Sequence, residues 1–107
     1  MKVDIFDDSR CILGEGPIWD NGRQELRWVD IKARKIYAKS LDGKGSSSLS
    51  TIKMPSALGL CDSGSIVVAH QDEIVLLESL GSVLCSIGER DHNRSNDGKI
   101  GPDGRFW

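Results

Sequence analysis

Short segments with the composition of β-strands recur in this 107-residue chain at an interval of about 41 residues. Two sets of positions define the interval, a glycine in a turn and an apolar residue in the strand that follows it. Gly22, Gly64 and Gly104 are 42 and 40 residues apart, and Trp28, Val68 and Trp107 are 40 and 39 residues apart. A repeat of roughly 40 to 45 residues with four short strands is typical of a propeller blade, whereas solenoid repeats carry helices or are shorter. The repeat therefore predicts an all-β protein of the β-propeller class.

Each repeat contains runs of β-forming residues that end at clusters of Gly, Asp, Asn or Ser. The first repeat predicts a hairpin turn at residues 20–23 and strands at 25–31, 35–40 and, weakly, 49–53. The second predicts strands at 57–61, 66–69, 73–78 and 83–87, with a turn at Leu80-Gly81 between the last two. In the first hairpin we expect Asn21-Gly22 to supply the positive φ angles of a tight turn.

The interval divides the chain into a first blade at about residues 12–54, a second at about 55–93 and the start of a third at about 94–107. Propellers close with about 4 to 8 blades. Because about two and a half blades do not close a ring, we expect the chain to be a fragment of a longer protein. An immunoglobulin-like sandwich of about 100 residues is the main alternative. It accounts for the number of strands but not for the repeat.

The charge of the chain argues against polyanionic partners. There are 14 Lys and Arg against 16 Asp and Glu, for a net charge of −2, and the cations are not clustered. Nucleic acids and anionic membranes are bound through concentrated positive charge, and the apolar runs are far shorter than the roughly 20 residues that span a bilayer. The sequence therefore predicts no nucleic-acid or membrane partner and a cytoplasmic location. Its three cysteines include no Cys-x-x-Cys pair, which argues against a thiolate zinc site.

One carboxylate lies at the beginning of the first strand of the first blade. Glu15 stands between Gly14 and Gly16, which allow a close approach of the backbone, and Pro17 fixes the direction in which the chain leaves. The first strand of each propeller blade lines the central channel, so Glu15 is a candidate oxygen ligand for a hard divalent cation. The alternative is a solvated carboxylate beside a turn.

A second polar group occupies the equivalent position at the start of the third blade. Arg94, Asn96 and Asp97 together offer donors and acceptors for a polyhydroxylated or anionic ligand. The alternative is turn chemistry, in which Asn and Asp side chains bond their own backbone and Gly98 adopts a positive φ angle.

Four stretches of the chain together resemble the SMP-30/gluconolactonase/luciferin-regenerating (regucalcin-like) family. They are Leu13-Gly14-Glu15-Gly16-Pro17-Ile18-Trp19-Asp20, Trp28-Val29-Asp30-Ile31, Arg94-x-Asn96-Asp97-Gly98-Lys99 and Pro102-Asp103-Gly104-Arg105-Phe106-Trp107. The resemblance spans the chain and implies a six-bladed propeller nearly three times as long. It also implies a sugar lactonase that uses one divalent cation, Ca²⁺ or Zn²⁺, in the central channel.

By position, the resemblance implies that Glu15 is a metal ligand and that Arg94 and Asn96 hold the hydroxyls of a sugar lactone. It places the family's two other protein ligands and the catalytic acid or base beyond Trp107, so we expect the fragment by itself to be inactive. In the complete protein the implied mechanism is hydrolysis in which the metal polarises the lactone carbonyl and activates a bound water.

Two other functions remain open from the sequence. One is a calcium-binding regulatory propeller that keeps the same ligand without significant turnover. The other is a truncated copy that has no function. Binding of Ca²⁺ without lactone opening would indicate the first, and poor solubility from an unpaired strand edge would indicate the second.

Overall fold

The computed structural model describes residues 1–88 and 93–107, and its strands form two antiparallel sheets of four strands each. The first sheet contains β1 (Gly14–Asp20), β2 (Glu25–Asp30), β3 (Lys35–Ser40) and β4 (Ser46–Ser50). The second contains β5 (Pro55–Leu60), β6 (Ile66–His70), β7 (Glu73–Leu76) and β8 (Ser79–Ser86). Consecutive strands are neighbours in both sheets, unlike the Greek-key connections of a sandwich. The predicted all-β class is therefore confirmed; residues 89–92 of the predicted second blade lie outside the described residues.

The turn between β1 and β2 is held by the side chain of Asp20. This buried carboxylate accepts hydrogen bonds from Arg23 N at 3.0 Å and Arg23 Nη1 at 2.8 Å. The predicted hairpin is confirmed, but the positive φ predicted at Gly22 is wrong, and Gln24 has a φ of 53° instead. The reason is that the loop has four residues between Asp20 and Glu25 rather than the two of the tightest hairpins.

The outer strand of the first sheet begins earlier than the sequence pattern predicts. β4 begins at Ser46 rather than at residue 49. Ser40 closes a short loop before it, because Ser40 N donates to Gly45 O and Gly45 N donates to Ser40 Oγ, both at 2.8 Å. A side-chain hydroxyl, which leaves no trace in the apolar pattern, therefore sets the start of this strand.

The outer strand of the second sheet also begins early. The turn that precedes β8 falls at Leu77-Glu78, so the turn predicted at Leu80-Gly81 is wrong. The pairing of β7 with β8 shifts register on both sides of Val75, and such bulges insert residues that break the alternation of inward and outward side chains. The alternation of apolar residues in the sequence therefore does not show where β8 begins.

Apolar side chains from both sheets form a core between them, where β5 lies against β1 and β2. Burial of each such side chain contributes about 1.5–3 kcal/mol, and neither sheet covers this face alone. The core side chains are Val29, Ile31, Ile36, Leu58, Ile66, Val68 and Val75.

A buried carboxylate anchors the segment that leads into β1. Asp30 is 1% exposed and accepts hydrogen bonds from the backbone N–H groups of Ile12 at 2.7 Å, Leu13 at 3.1 Å and Ala33 at 3.0 Å. Burial by itself raises the pKa of the Asp30 carboxyl, but the backbone donors outweigh it and hold this pKa below its ordinary value. The end of β2 therefore fixes where β1 begins.

A buried histidine ends β6. The His70 side chain is 5% exposed, with Nδ1 at 3.5 Å from Glu73 Oε1, and Glu73 Oε2 lies 2.9 Å from Lys53 Nζ. Neither ring nitrogen has a hydrogen-bond partner within the described part of the chain. Burial lowers the pKa of His70 below its ordinary value, and the opposing effect of Glu73 is smaller. The imidazole is therefore neutral at pH 7.

Residues 99–107 form a third, short hairpin. Lys99 and Trp107 exchange backbone hydrogen bonds of 3.0 Å and 2.8 Å, and Ile100 pairs with Phe106 in one bridge. A Cβ at Gly98 would lie 2.7 Å from Phe106 Cζ, so this position needs glycine for space. The positive φ predicted for Gly98 is wrong. The described residues also include no helix with the length and apolarity needed to cross a membrane.

We expect Asp30→Ala to lower the free energy of unfolding by about 3 kcal/mol, because it removes the acceptor of several backbone N–H groups. Urea denaturation followed by tryptophan fluorescence measures the change. Asp62→Ala is the matched control, since Asp62 is an exposed turn carboxylate, and its effect should stay below about 0.5 kcal/mol. Equal losses in both variants would contradict the anchoring role of Asp30.

We expect His70 to make the protein less stable in weak acid. As the pH falls below the unfolded pKa of 6.5, the unfolded chain takes up a proton before the buried imidazole does, so stability falls until the pH passes below the lowered folded pKa. The urea midpoint measured at about pH 7.5 and about pH 5.5 should therefore drop in the wild type and drop less in His70→Gln. The same drop in both proteins would show that another group is responsible.

Candidate functional site

The beginning of β1 lies against the beginning of β5. Gly16 has a φ of 57°, and a Cβ at this position would lie 3.7 Å from Ser56 O and 3.8 Å from Ala57 Cα. The pairing of β1 with β2 shifts register between Glu15 and Ile18, so Gly16 stands in a bulge. Glycine suits this position because of its positive φ, while the space beside it would admit a Cβ at ordinary van der Waals distances.

Equivalent positions of the successive repeats are adjacent in this region. Gly16, Ser56 and Asn96 are 40 residues apart in turn. Gly16 approaches the backbone of Ser56, and the Ser56 hydroxyl contacts the hydroxyl of Ser95, the residue before Asn96. The beginning of β1, the beginning of β5 and Ser95 are therefore successive neighbours in space, and this region is the candidate functional site.

Glu15 is an exposed residue in β1, opposite Val29 of β2. Among the residues that the structure describes, its carboxylate has neither a hydrogen bond nor an ion pair. The carboxylates of Asp20 and Asp30, in contrast, are occupied by protein donors. Glu15 therefore keeps both of its oxygens for a ligand.

Arg94 and Asn96 are in direct contact. Arg94 Nη1 donates to Asn96 Oδ1 at 2.9 Å and to Ser95 O at 3.0 Å. The turn chemistry is carried by the next residue, because Asp97 Oδ1 accepts the hydrogen bond of Gly98 N at 2.7 Å. With its Oδ1 occupied by Arg94, Asn96 has its amide N–H groups left to donate.

A cavity of about 310 Å³ opens beside Arg94. Its lining includes polar groups of Gln71, Asp72, Asn93 and Ser95. Cavities of roughly 300 Å³ and above are of the size that holds small molecules. Arg94 therefore lines a space of the size that small molecules occupy.

The described residues fit only part of a metal site. Within residues 1–88 and 93–107, no three His, Cys, Asp or Glu side chains are grouped so that they could hold a metal ion. Glu15 supplies the kind of hard oxygen ligand that Ca²⁺ prefers, but Ca²⁺ takes about six to eight such oxygens. A group of three such side chains that includes Glu15 would therefore need residues outside the described ones.

Ser56 and Ser95 were not among the site residues predicted from the sequence. Serine carries no motif here, and each residue is also an ordinary component of a strand or turn. The one available signal was the repeat itself, which aligns Ser56 with Gly16 and Asn96. The structure adds what the sequence lacks, because Ser56 is a polar residue in the buried stretch of β5, and a buried hydroxyl normally has a hydrogen-bond partner.

Comparison with known proteins identifies relatives that are longer than this chain. The family model described as SMP-30/Gluconolactonase/LRE-like region matches residues 13–107. The chain is 37% identical over 103 residues to the 6-deoxy-6-sulfogluconolactonase of Pseudomonas putida. This alignment covers 90% of the present chain and 34% of the relative. The chain is also 30% identical over 111 residues to the regucalcin of Gallus gallus, in an alignment that covers 100% of the present chain and 37% of the relative. The chain spans about a third of the length of these curated relatives.

Solved structures show the same arrangement of sheets. A regucalcin from Agrobacterium tumefaciens, described as a calcium-binding protein, superposes with a TM-score of 0.79 at 28% sequence identity, over 94% of this chain and 36% of that one. The two sheets are therefore propeller blades, which confirms the predicted β-propeller class. With a family model that matches nearly its whole length, the chain belongs to the SMP-30/gluconolactonase/LRE-like family.

Proposed function

We propose that the chain is the amino-terminal part of a sugar lactonase that hydrolyses a lactone ester with the help of one divalent cation, Ca²⁺ or Zn²⁺. The observation that carries the proposal is the contact between Arg94 and Asn96 beside a cavity, in a chain with relatives named as lactonases. The reaction adds water across the ring ester and gives a hydroxy acid.

Arg94 and Asn96 bind the substrate in this proposal. The Asn96 amide donates to sugar hydroxyls, while the Arg94 guanidinium holds the Asn96 carbonyl oxygen in place. Arg94 also keeps a positive charge near the cavity, which favours the carboxylate that forms when the ring opens. Fixed donors of this kind orient a polyhydroxylated ring at little entropic cost on binding.

Glu15 is the metal ligand that this chain contributes. When bound, a divalent cation polarises the lactone carbonyl and lowers the pKa of a water molecule. Two observations support this role: the Glu15 carboxylate has no protein partner among the described residues, and the neighbouring Gly16 lies beside the beginning of β5. Since a single carboxylate does not satisfy the coordination of Ca²⁺ or Zn²⁺, we propose that residues 1–107 alone do not hydrolyse lactones.

The blade boundaries also belong to the proposal. We assign the first blade to about residues 12–54, the second to about 55–93 and the start of the third to about 94–107, as the repeat suggests. The observed sheets at Gly14–Asp20 through Ser46–Ser50 and at Pro55–Leu60 through Ser79–Ser86 support this division.

A calcium-binding regulatory protein without significant turnover is the second candidate. The similarity to a regucalcin that is described as a calcium-binding protein favours it. Glu15 has the same role as a ligand in both candidates, whereas Arg94 and Asn96 have a role in substrate binding only in the lactonase. Turnover of a lactone by the intact protein therefore distinguishes the two.

In the intact protein we expect Glu15→Gln to lower kcat/KM for 1,5-gluconolactone at least about 100-fold, because a neutral amide replaces an anionic metal ligand. Activity is measured with Ca²⁺ or Zn²⁺ added and after chelation, and metal affinity is measured by calorimetry. Glu78→Gln is the matched control, since Glu78 is an exposed glutamate away from the site.

Three results of this experiment lead to different conclusions. Full metal-dependent activity in Glu15→Gln would overturn the role of Glu15. Tight Ca²⁺ binding without turnover in the wild type would favour the regulatory protein. No binding and no turnover in the wild type would favour a copy without function.

We expect Asn96→Asp to raise KM for the lactone about tenfold with a smaller change in kcat. The aspartate still accepts from Arg94 Nη1, but it loses the amide donors, and a hydrogen bond of this kind is worth about 1 kcal/mol or slightly more. Steady-state kinetics of the intact protein test this expectation. An unchanged KM would show that the Asn96 amide does not contact the substrate.

A further inference from the structure

Ser95 joins the segment of residues 93–97 to the second sheet. Its backbone N–H donates to Gln71 O at 3.0 Å, and its hydroxyl donates to His70 O at 2.6 Å. Its hydroxyl also contacts the hydroxyl of Ser56, a residue of β5 that is 1% exposed. Among the described residues, every hydrogen bond between this segment and the second sheet is made by Ser95.

The two hydroxyls share their protons among three contacts. Ser56 Oγ also lies 3.1 Å from Ala69 O. The two hydroxyls have one proton each, so when one proton joins Ser56 to Ser95, the other is donated either to His70 O or to Ala69 O. The shorter distance is that from Ser95 to His70 O. The favoured chain therefore runs from Ser56 to Ser95 and on to His70 O, and Ala69 O is the alternative acceptor for Ser56.

The two proposed substrate donors flank Ser95 in the chain. Arg94 Nη1 donates both to Ser95 O and to Asn96 Oδ1. The positions of the Arg94 guanidinium and of the Asn96 amide are thus tied to each other and, through Ser95, to β5 and β6. A shift of Ser95 would move both donors relative to the cavity.

We propose that Ser95 is a positioning residue for substrate binding. It fixes Arg94 and Asn96 through its hydroxyl, with Ser56 as the buried partner. This role rests on the proposed lactonase function. This role also explains why β5 has a buried hydroxyl at Ser56, because the contact between Ser56 and Ser95 connects the site to the interior of β5.

Because Ser56 has an alternative acceptor, the role of Ser95 can be tested without disturbing the fold. When Ser95 loses its hydroxyl, Ser56 still donates to Ala69 O, so no buried donor is left without a partner. Ser95→Ala should therefore fold as the wild type does, while the segment of residues 93–97 is held less firmly. Ser56→Ala leaves the bond from Ser95 to His70 O intact and should have a smaller effect.

The test compares Ser95→Ala, Ser95→Thr and Ser56→Ala in the intact protein with Ser86→Ala as the matched control. Ser86 Oγ donates to the carbonyl of Asp72 in the same region but, within the described part of the chain, makes no hydrogen bond to residues 93–97. For 1,5-gluconolactone we expect Ser95→Ala to raise KM about tenfold with kcat changed less than about twofold. Ser95→Thr, which keeps the hydroxyl, should restore KM, and Ser86→Ala should match the wild type.

Amide hydrogen exchange gives a readout that does not depend on activity. The N–H of Ser95 is protected by Gln71 O, so we expect exchange across residues 93–97 to be about tenfold faster in Ser95→Ala. Wild-type exchange in this variant would overturn the proposal. So would faster exchange with an unchanged KM, because the anchor would then not serve binding.

Failure of the lactonase proposal is distinguishable from failure of this one. If the wild type hydrolyses no lactone, calorimetric binding of gluconate replaces KM as the measure of the site. Weaker gluconate binding together with faster exchange in Ser95→Ala would then support the positioning role. Unchanged binding would overturn it.

Discussion

Burial of one face of each four-stranded sheet against the other is the constraint on which the rest of this structure depends. A meander of short strands has an apolar face that it does not cover by itself, and here Val29 and Ile36 of the first sheet meet Leu58 and Val68 of the second. Hydrophobic burial has no direction of its own, so polar groups fix the alignment. The Asp30 carboxylate sets where β1 begins, and Arg23 joins the turns of the two sheets.

The candidate site is a consequence of this alignment. When two repeats pack in the same orientation, residues at the same place in each repeat come to the same end of the inner strands. This explains why Gly16, Ser56 and residues 94–96, which are far apart in the sequence, are adjacent in space. Gly16 of β1 lies beside the beginning of β5. A carboxylate on β1 and an Arg–Asn pair after the second blade then belong to one region.

Neutral groups hold Ser95 against the second sheet, while Asp72, which lines the cavity, pairs with Lys53. Burial keeps the imidazole of His70 neutral at pH 7, and the hydroxyls of Ser56 and Ser95 carry no charge. Arg94 Nη1 donates to Asn96 Oδ1 and to the backbone oxygen of Ser95, so the guanidinium is part of the hydrogen-bonded network. Among residues 1–88 and 93–107, no carboxylate pairs with the Arg94 guanidinium, and hydrogen bonds to an amide oxygen and a backbone carbonyl hold it in place.

The sequence by itself determined the all-β class, the repeat, most of the strands, and the family, together with Glu15, Arg94 and Asn96 as candidates. These depend on local alternation, on turn residues and on short motifs, all of which are properties of neighbouring residues in the chain. Only the tertiary structure decided the start of β4, the turn before β8 and the backbone at Gly22 and Gly98. The start of β4 depends on a serine hydroxyl and the turn before β8 on bulges. The backbone at Gly22 depends on the length of its loop, and the space at Gly98 is limited by the ring of Phe106. The contact between Ser56 and Ser95 likewise exists only because the segment that follows the second sheet folds back against β5 and the end of β6, and no local pattern encodes such a pair.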